Sequence, residues 1–443
     1  MKLPTFRGGV HPYDGKSLTK EQNTIPAEPG DKLFYSLSQH IGVPSRPIVQ
    51  KNDYVLRGQK IALANGNVSA AVHASVSGEV LGIRKMRMPS GSMADCIVVD
   101  NDHLMKEVPF QSRKLADLTR EEILDRIRDA GIIGMGGAGF PTHVKLAPPN
   151  PEKIDSILVN AAECEPYLTG DYQRLKEEPE KIIRGLLVVL KLFPRAKGYL
   201  CIEDNKKDCI KTAAPLCSEH KIELKVLRTK YPQGAERMLI YSVTGRKINS
   251  SMLPADVGCI VDNVETMVSI GEAVLDGIPV MERTMTIAGD SVTNPENLCV
   301  PIGMLYKEVA DAVGGFAVES KKIIAGGPMM GNAMLNLEVP VIKTSSALLA
   351  FKKDTVSDEK TSACINCGRC VSVCPGRILP TRLALYADRQ DKESFLKYHG
   401  MECCECGCCS YVCPAKRHLT QSIRSMRKIL LAEQKKGKVE ISK

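Results

Sequence analysis

The chain has 443 residues, a formal net charge of +9, 43% hydrophobic residues and no Trp. That length implies two to four domains. The longest apolar stretch, Gly185 to Phe193, is too short to cross a bilayer and contains Lys191, so no transmembrane helix is expected. The opening "MKLPTFRGGVHPYDG" has no apolar signal core. A protein that is soluble, or peripheral to a membrane, is therefore expected. From Pro414 to Lys443 nine Lys/Arg stand against two acids. No aromatic residues alternate with them as a stacking platform for bases would require, so no nucleic-acid partner is expected.

Residues 1–110 carry short alternating stretches such as "PIVQKNDYVLRGQKIALA" and "VHASVSGEVLGIR", joined through Gly-containing turns. They fit an all-β sandwich. The stretch resembles the barrel-sandwich hybrid of biotinyl and lipoyl domains. The turn that would present a carrier lysine reads "LANGNVSA", Leu63 to Ala70, and has no Lys. A scaffold is expected here, not a swinging arm.

Residues 111–280 open with a helix in which Thr119 and Glu122 hold capping-box positions. Strands at "SILVNAAE", "GYLCIED" and "IELKVLRT" alternate with helices at "EPEKIIRGLLVVLKLF" and "KKDCIKTAAPLCSE". This alternation predicts an α/β domain built on a sheet. Residues 281–355 form a smaller β-rich unit with one helix and resemble a β-grasp (SLBB) domain. Residues 356–418 hold two cysteine runs around a helical stretch. Residues 419–443 form a basic helix and tail. Ile423, Met426, Ile429 and Leu430 recur at helical spacing there, with Arg424, Arg427 and Lys428 mostly off that face. The expectation is a helix that docks the chain on a partner, the alternative being that its apolar face covers the cluster domain of the same chain.

The runs "CINCGRCVSVCP" and "CCECGCCSYVCP" both read C-x2-C-x2-C-x3-C-P. This is the bacterial ferredoxin spacing for two [4Fe–4S] clusters, in which the fourth cysteine of each run serves the other cluster. Cluster one then takes Cys364, Cys367, Cys370 and Cys413, and cluster two takes Cys403, Cys406, Cys409 and Cys374. Disulfides are disfavoured without a secretory signal. Zinc suits any paired CxxC, but has no need of a third x2-spaced cysteine and a Cys-Pro, twice. Cys404 and Cys408 do not keep the spacing and are expected to pack rather than ligate.

"GMGGAGF", Gly134 to Phe140, contains G-x-G-x-x-G. A dinucleotide fingerprint follows a strand and opens a helix. This one follows a helix, so that reading fails. The glycines still let backbone N–H groups approach an anion, and Lys145 offers a counter-charge. A plain tight turn is the alternative.

"GMGGAGFPTHVK", "VNAAECEP" and "VDNVET" resemble, in order and spacing, the flavin-binding motifs of the complex I subunit that oxidises NADH. With "LPTFRGGVHP", "LSQHIGVPSRPIV", "VHASVSGEV" and the cysteine runs, the whole chain resembles the RnfC family, the soluble subunits of Rnf ferredoxin:NAD+ oxidoreductases. The fold class implied is multidomain α/β plus β: a barrel-sandwich hybrid, a complex I flavoprotein-like α/β domain, an SLBB β-grasp domain and a helical two-cluster ferredoxin domain. The cofactors implied are FMN and two [4Fe–4S] clusters, with NAD(H) as substrate.

The resemblance also implies roles. Gly134, Gly136, Gly137 and Gly139 would lie near the FMN phosphate and the dinucleotide. Lys145 would neutralise that phosphate, and Phe140 would stack the adenine. Asn160, Glu163, Asn263 and Thr266 would line the flavin pocket, and Glu165 would hold the nicotinamide carboxamide. Tyr231, Gly234 and Glu236 would form a second loop, with Glu236 near the ribose. No protein acid or base is expected in the hydride transfer. The motif departs from the complex I pattern at Met135, His143, Ala162 and Ala235, where that subunit has Arg, Gly, Asp and Glu. Membrane-embedded and ferredoxin-like Rnf subunits are the implied partners, on the cytoplasmic face of a bacterial cell membrane, and those other subunits would couple electron flow to ion translocation. "FRGGVHP" would be the docking strap for a membrane partner. Two other readings share these motifs: a soluble cobalamin-reductase-like flavoprotein, and a non-catalytic iron–sulfur adaptor.

Overall fold

A computed structural model describes residues 3–436 of the chain. Near the N-terminus, Lys32–Ser36, Met93–Asn101, Gly78–Arg87 and Tyr54–Val55 form an antiparallel sheet in that order. A second sheet of Arg46–Pro47, Lys60–Leu63 and Val72–His73 closes the sandwich. Leu33, Tyr35, Val55, Ile61, Val76 and Val99 fill it. Their core is continuous with that of the next domain, so the first domain is a fixed wall against the second.

The α/β domain holds four parallel strands in the order Glu223–Leu227, Lys197–Glu203, Ser156–Ala161, Cys259–Asn263. Ser156–Ala161 is buried at nearly every residue, as a parallel strand covered on both faces must be. Arg120–Asp129 begins with the expected capping box, Thr119 and Glu122 each bonding the other's backbone N–H. In this kind of sheet ligands sit beyond the carboxyl ends of the strands. Here those ends carry Asn160 and Asn263, paired across adjacent strands.

The third unit is a six-stranded mixed sheet with the helix Tyr306–Ala312 against it. One edge strand, Ile25–Pro26, comes from the N-terminal segment and pairs in parallel with Glu296–Pro301. The cysteine-rich unit is helical, with Pro380–Asp388 packed on Leu419–Lys435.

Two expectations about docking are corrected. The long C-terminal helix spends its apolar face on its own chain: Leu419, Ile423, Met426 and Leu430 are buried with Leu383, Phe395 and Met401. Ile429 is only half-buried. Arg424 and Arg427 pair with Glu405 of the same chain. The periodicity called for a buried face, and the cluster domain supplies the cover. The tail at 437–443 lies outside the described residues.

The strap around "FRGGVHP" likewise binds within the chain. Phe6 and Val10 are buried. The Arg228 N–H donates to the Pro4 carbonyl, Val10 pairs with Tyr231, and the Gly9 N–H donates to the Val373 carbonyl at 2.7 Å. The strap thus sews the α/β domain to the cluster domain. Gly8 and Gly9 both have positive φ, and a Cβ on either would lie within 3 Å of backbone oxygens of Val373 or Tyr231, which accounts for two glycines there.

Among the described residues no helix is long and apolar enough to cross a membrane.

Candidate functional site

The glycine loop is held from below and open above. The Gly134 N–H donates to the Phe140 carbonyl and the Gly139 N–H to the Gly134 carbonyl, closing the turn. Thr266 accepts from the Met135 N–H at 3.0 Å, and Arg283 donates to the Met135 carbonyl at 3.0 Å. Gly136 leans on Asn263: a Cβ there would lie 3.1 Å from the Asn263 Cβ. A Cβ on Gly137 would meet nothing, so the backbone faces open space. The first domain adds a wall, the Ile41 N–H donating to the Gly139 carbonyl. Phe140 is half-buried beside this loop.

Asn160 donates to the Gly234 carbonyl at 2.8 Å, joining the second loop to the sheet. Asn263 caps the helix Val264–Gly271 with its side-chain oxygen and donates to Asp171 at 2.6 Å. Glu163 accepts the Asp171 N–H and lies 3.5 Å from the Lys16 ammonium. Burial raises the Asp171 carboxyl above the usual carboxylate range, with the Glu163 charge adding to it. The structure therefore brings Gly134, Gly136, Asn160, Glu163, Asn263 and Thr266 into one crevice. A Cβ on Gly234 would lie 2.2 Å from the Ala162 carbonyl oxygen. Ala162 is itself buried among Leu158, Leu227 and Leu239, so apolar packing replaces the missing carboxylate.

Three predicted residues have partners that sequence did not show. Lys145 donates to the Val261 carbonyl and to Asp262, both at 2.8 Å. Burial acts to lower its pKa, but the Asp262 and Glu236 carboxylates outweigh that and raise it. Two of its three donors are used. Glu236 is exposed at the start of the helix Glu236–Thr244. Glu165 accepts the Met329 N–H at 3.1 Å beneath the Gly326–Gly331 loop of the third domain. Burial pushes its carboxyl up to about 7. Tyr231 is fully enclosed; its hydroxyl donates to the Cys406 carbonyl at 2.7 Å and lies 3.4 Å from Glu165 Oε1.

The two cysteine runs share one backbone course. Asn366 and Glu405 both take positive φ, as do Gly368 and Gly407, and each run then enters a four-residue helix, Arg369–Ser372 or Cys408–Tyr411. Arg377 and Lys416 repeat the match. One cavity is lined by Cys403, Cys406 and Cys409 together with Cys374 of the other run. Cys413 is not among its walls. Cys404 and Cys408 border it too, but Cys408 turns its sulfur toward the Tyr231 carbonyl. Burial pushes the Cys403 and Cys409 thiols up to about 12, so a metal centre's charge is what would ionise them. Cys364 and Cys367 are exposed, and Cys370 and Cys413 half-buried.

Four families match the chain in separate segments: the RnfC barrel sandwich hybrid domain over 4–104, the Nuo51 FMN-binding domain over 127–272, the SLBB domain over 284–333 and the 4Fe-4S dicluster domain over 363–416. The chain is 44% identical over 429 residues to a subunit of the proton-translocating ferredoxin:NAD(+) oxidoreductase complex of Clostridium ljungdahlii, covering 96% of this chain and 94% of that one. It is 40% identical to the Na(+)-translocating counterpart of Acetobacterium woodii, over 99% of each. The chain belongs to the RnfC family. A solved NAD+-reducing [NiFe]-hydrogenase, air-oxidised, shares the fold at a TM-score of 0.50 and 20% identity, over 65% of this chain and 55% of that one.

As a member of that family the chain has an FMN-binding domain and a two-cluster [4Fe–4S] domain. Its residues fit both groups. Asp262 Oδ2, beside Lys145, is buried without a hydrogen-bond partner in the protein, and such an atom calls for a polar donor. A flavin's ring N–H or a ribityl hydroxyl supplies such a donor, and the open backbone at Gly137 suits its phosphate. The Cys374–Cys403–Cys406–Cys409 cavity is the matching feature for a cluster. Sequence reading of this RnfC-family chain missed Lys16, Asp171, Asp262 and Arg283. Asp262 stood in the quoted "VDNVET" motif and could have been found. Lys16 reaches the Glu165 carbonyl at 3.1 Å from 149 residues away, and no local signal marks it.

Proposed function

We propose that this chain is the peripheral electron-transfer subunit of a membrane-bound Rnf complex, exchanging hydride between NAD(H) and FMN and relaying single electrons through two [4Fe–4S] clusters. Residues 111–280 would hold FMN and the dinucleotide, and residues 356–418 the clusters. Bound FMN supplies the conversion between a nicotinamide's electron pair and a cluster's single electrons. The chain's own residues hold, orient and enclose. The glycine loop, fixed by Thr266, Asn263 and Arg283, offers backbone N–H groups to an anion. Asn160 and Glu163 line the crevice, and Lys145 keeps one donor for a phosphate. Glu165 and Glu236 would meet the nicotinamide and ribose, and Phe140 the adenine.

The observation that carries this reading is the direct contact between the crevice and a cluster loop. Cys164, flanked by Glu163 and Glu165, packs in one apolar group with Tyr231, Cys406 and Cys408. A cobalamin-reductase-like flavoprotein would keep this contact but need no complex. An adaptor would keep the clusters and lose the flavin. Other Rnf subunits would be the partners, at the cytoplasmic face of the membrane, and would carry the ion translocation. The test is the purified chain with its cofactors. Flavin fluorescence on acid release, NADH–ferricyanide activity and two EPR-active clusters are expected. Clusters without flavin or NADH oxidation would overturn the reading.

A further inference from the structure

The two cysteine runs are alike in sequence and backbone, yet they do not face the flavin crevice equally. The Cys403–Cys409 loop is pinned to the α/β domain at two points. At one, the buried Tyr231 hydroxyl donates to the Cys406 carbonyl at 2.7 Å. At the other, Glu402 accepts from Arg237 at 3.0 Å and from the Ser250 N–H at 2.9 Å. Arg237 lies in the helix that follows the second crevice loop. Behind the Tyr231 ring stand Cys164 and Glu165, the wall of the crevice. Met329 of the third domain closes the remaining side: its carbonyl would lie 3.1 Å from a Cβ on Gly407. The first run's tie to the rest of the chain is at Val373, whose carbonyl accepts the Gly9 N–H at 2.7 Å, beside Cys374, which stands in the cluster-two cavity; its other three cysteines have nothing comparable among the described residues. Residues 352–369 are exposed almost throughout, except for Asp354. Cys364 finds only Asn366 and Thr381, both of its own domain.

The geometry points to Tyr231 as the positioning residue that fixes the Cys403–Cys409 loop against the crevice wall, and to cluster two as the first cluster to exchange electrons with the flavin site. The inference rests on the electron-transfer reading above and adds the order of the two clusters. Each crossing of the joint moves one electron: the donor at the flavin site is oxidised by one and the [4Fe–4S] acceptor reduced by one. Tyr231 keeps its proton, and no atom crosses. The packed, hydrogen-bonded contact is a direct protein link between the crevice wall and this loop. Cluster one, with two ligands at the surface, then faces outward. The hydroxyl dipole points its proton at the Cys406 backbone, and hydrogen bonding near a cluster is one of the factors that set its potential.

The test uses the full chain loaded with FMN and both clusters. Tyr231→Phe removes the hydroxyl and keeps the ring. Signals are assigned with Cys406→Ala, which abolishes cluster two, and Cys364→Ala, which abolishes cluster one. An EPR redox titration should show the midpoint of cluster two moving downward in Tyr231→Phe while that of cluster one stays put. Rapid freezing after reduction should show the rate of cluster-two reduction, divided by that of flavin reduction in the same sample, falling several-fold. Arg237→Met loosens the second pin and should lower the same ratio; if Tyr231→Phe fails to assemble, this variant alone decides. Electrons are delivered in parallel arms by NADH and by light with a sacrificial amine donor. A wild-type chain that answers to light and not to NADH refutes the dinucleotide reading and leaves the joint supported. A cluster-two midpoint and ratio equal to wild type, or changes confined to cluster one, overturn the joint.

Discussion

Deleting the C-terminal helix after His418 should cost this chain its second cluster. The helix Leu419–Lys435 contributes Leu419, Ile423, Met426 and Leu430 to the cluster-domain core, each at 2% exposure or less. Burying such side chains stabilises by about 1.5–3 kcal/mol apiece. The four together supply about 6–12 kcal/mol, comparable with the whole stability of a typical domain, about 5–15 kcal/mol. The helix also reaches the cluster cavity itself, since Thr420 and Ile423 line it and Thr420 Oγ1 lies 3.3 Å from the Cys409 sulfur. Iron and acid-labile sulfide on the truncated protein should fall by at least one cluster, and the EPR signal of cluster two should vanish. Ile423→Ala, at about 2–5 kcal/mol, should weaken the same signal without abolishing it. A cut after Lys436 should leave both clusters in place. Full iron content in the His418 truncation, with both signals intact, would refute the reasoning and return the helix to an external docking role.

Lys145→Ala should lower FMN retention about tenfold or more, the effect of losing a charge-assisted contact worth about 1.5–3 kcal/mol. It should also lower Tm, because it strands the fully buried Asp262 carboxylate. Pairing Lys145→Met with Asp262→Asn should restore Tm and not FMN; full flavin occupancy after dilution would count against a phosphate contact. Cys374→Ala should erase cluster two, and Cys413→Ala should damage the cluster held by Cys364, Cys367 and Cys370; EPR showing each loss within the residue's own run would exclude the crossed arrangement. Glu165 is raised from 4.5 to about 7, so its protonated form is favoured by the fold. Its contribution is complete below about pH 4.5 and is lost as pH rises through about 7, at most about 3 kcal/mol. Glu165→Gln in the flavin-free chain should therefore flatten the fall of Tm between pH 5 and 8, and an unchanged slope would show that the carboxyl is already ionised.

Local chemistry was the legible part. The capping box at Thr119 and Glu122 needs only four residues, and the structure contains both of its hydrogen bonds. The cysteine spacing encodes a loop, and Cys374 does stand with the other run's thiols. The glycine loop follows a helix as the sequence indicated. What sequence could not convey was the identity of distant partners. An amphipathic period reports that a helix buries one face, not what covers it; Ile423 and Met426 were read as a dock and turned out to be core. Lys145 lies close to the glycines along the chain, yet the short helix Thr142–Lys145 carries its amine to Asp262. Glu165 and Tyr231 are candidates for the nucleotide's neighbours from sequence alone. Their hydrogen bonds run to Met329 and Cys406, in two other domains, and no window of sequence holds those pairs.

The strap has a consequence for how the chain matures. Its residues Pro4 to Thr19 are synthesised early, while their partners come late: Arg228, Tyr231, Asn297 and finally Val373. Domains assemble in the order of their synthesis, so the strap must wait unpaired until the ferredoxin-like unit exists. Contacts of such long sequence separation form slowly. Because the Gly9–Val373 hydrogen bond lies one residue from Cys374, the proposed ligand of cluster two, the last stitch of folding and the insertion of iron would converge on the same few atoms.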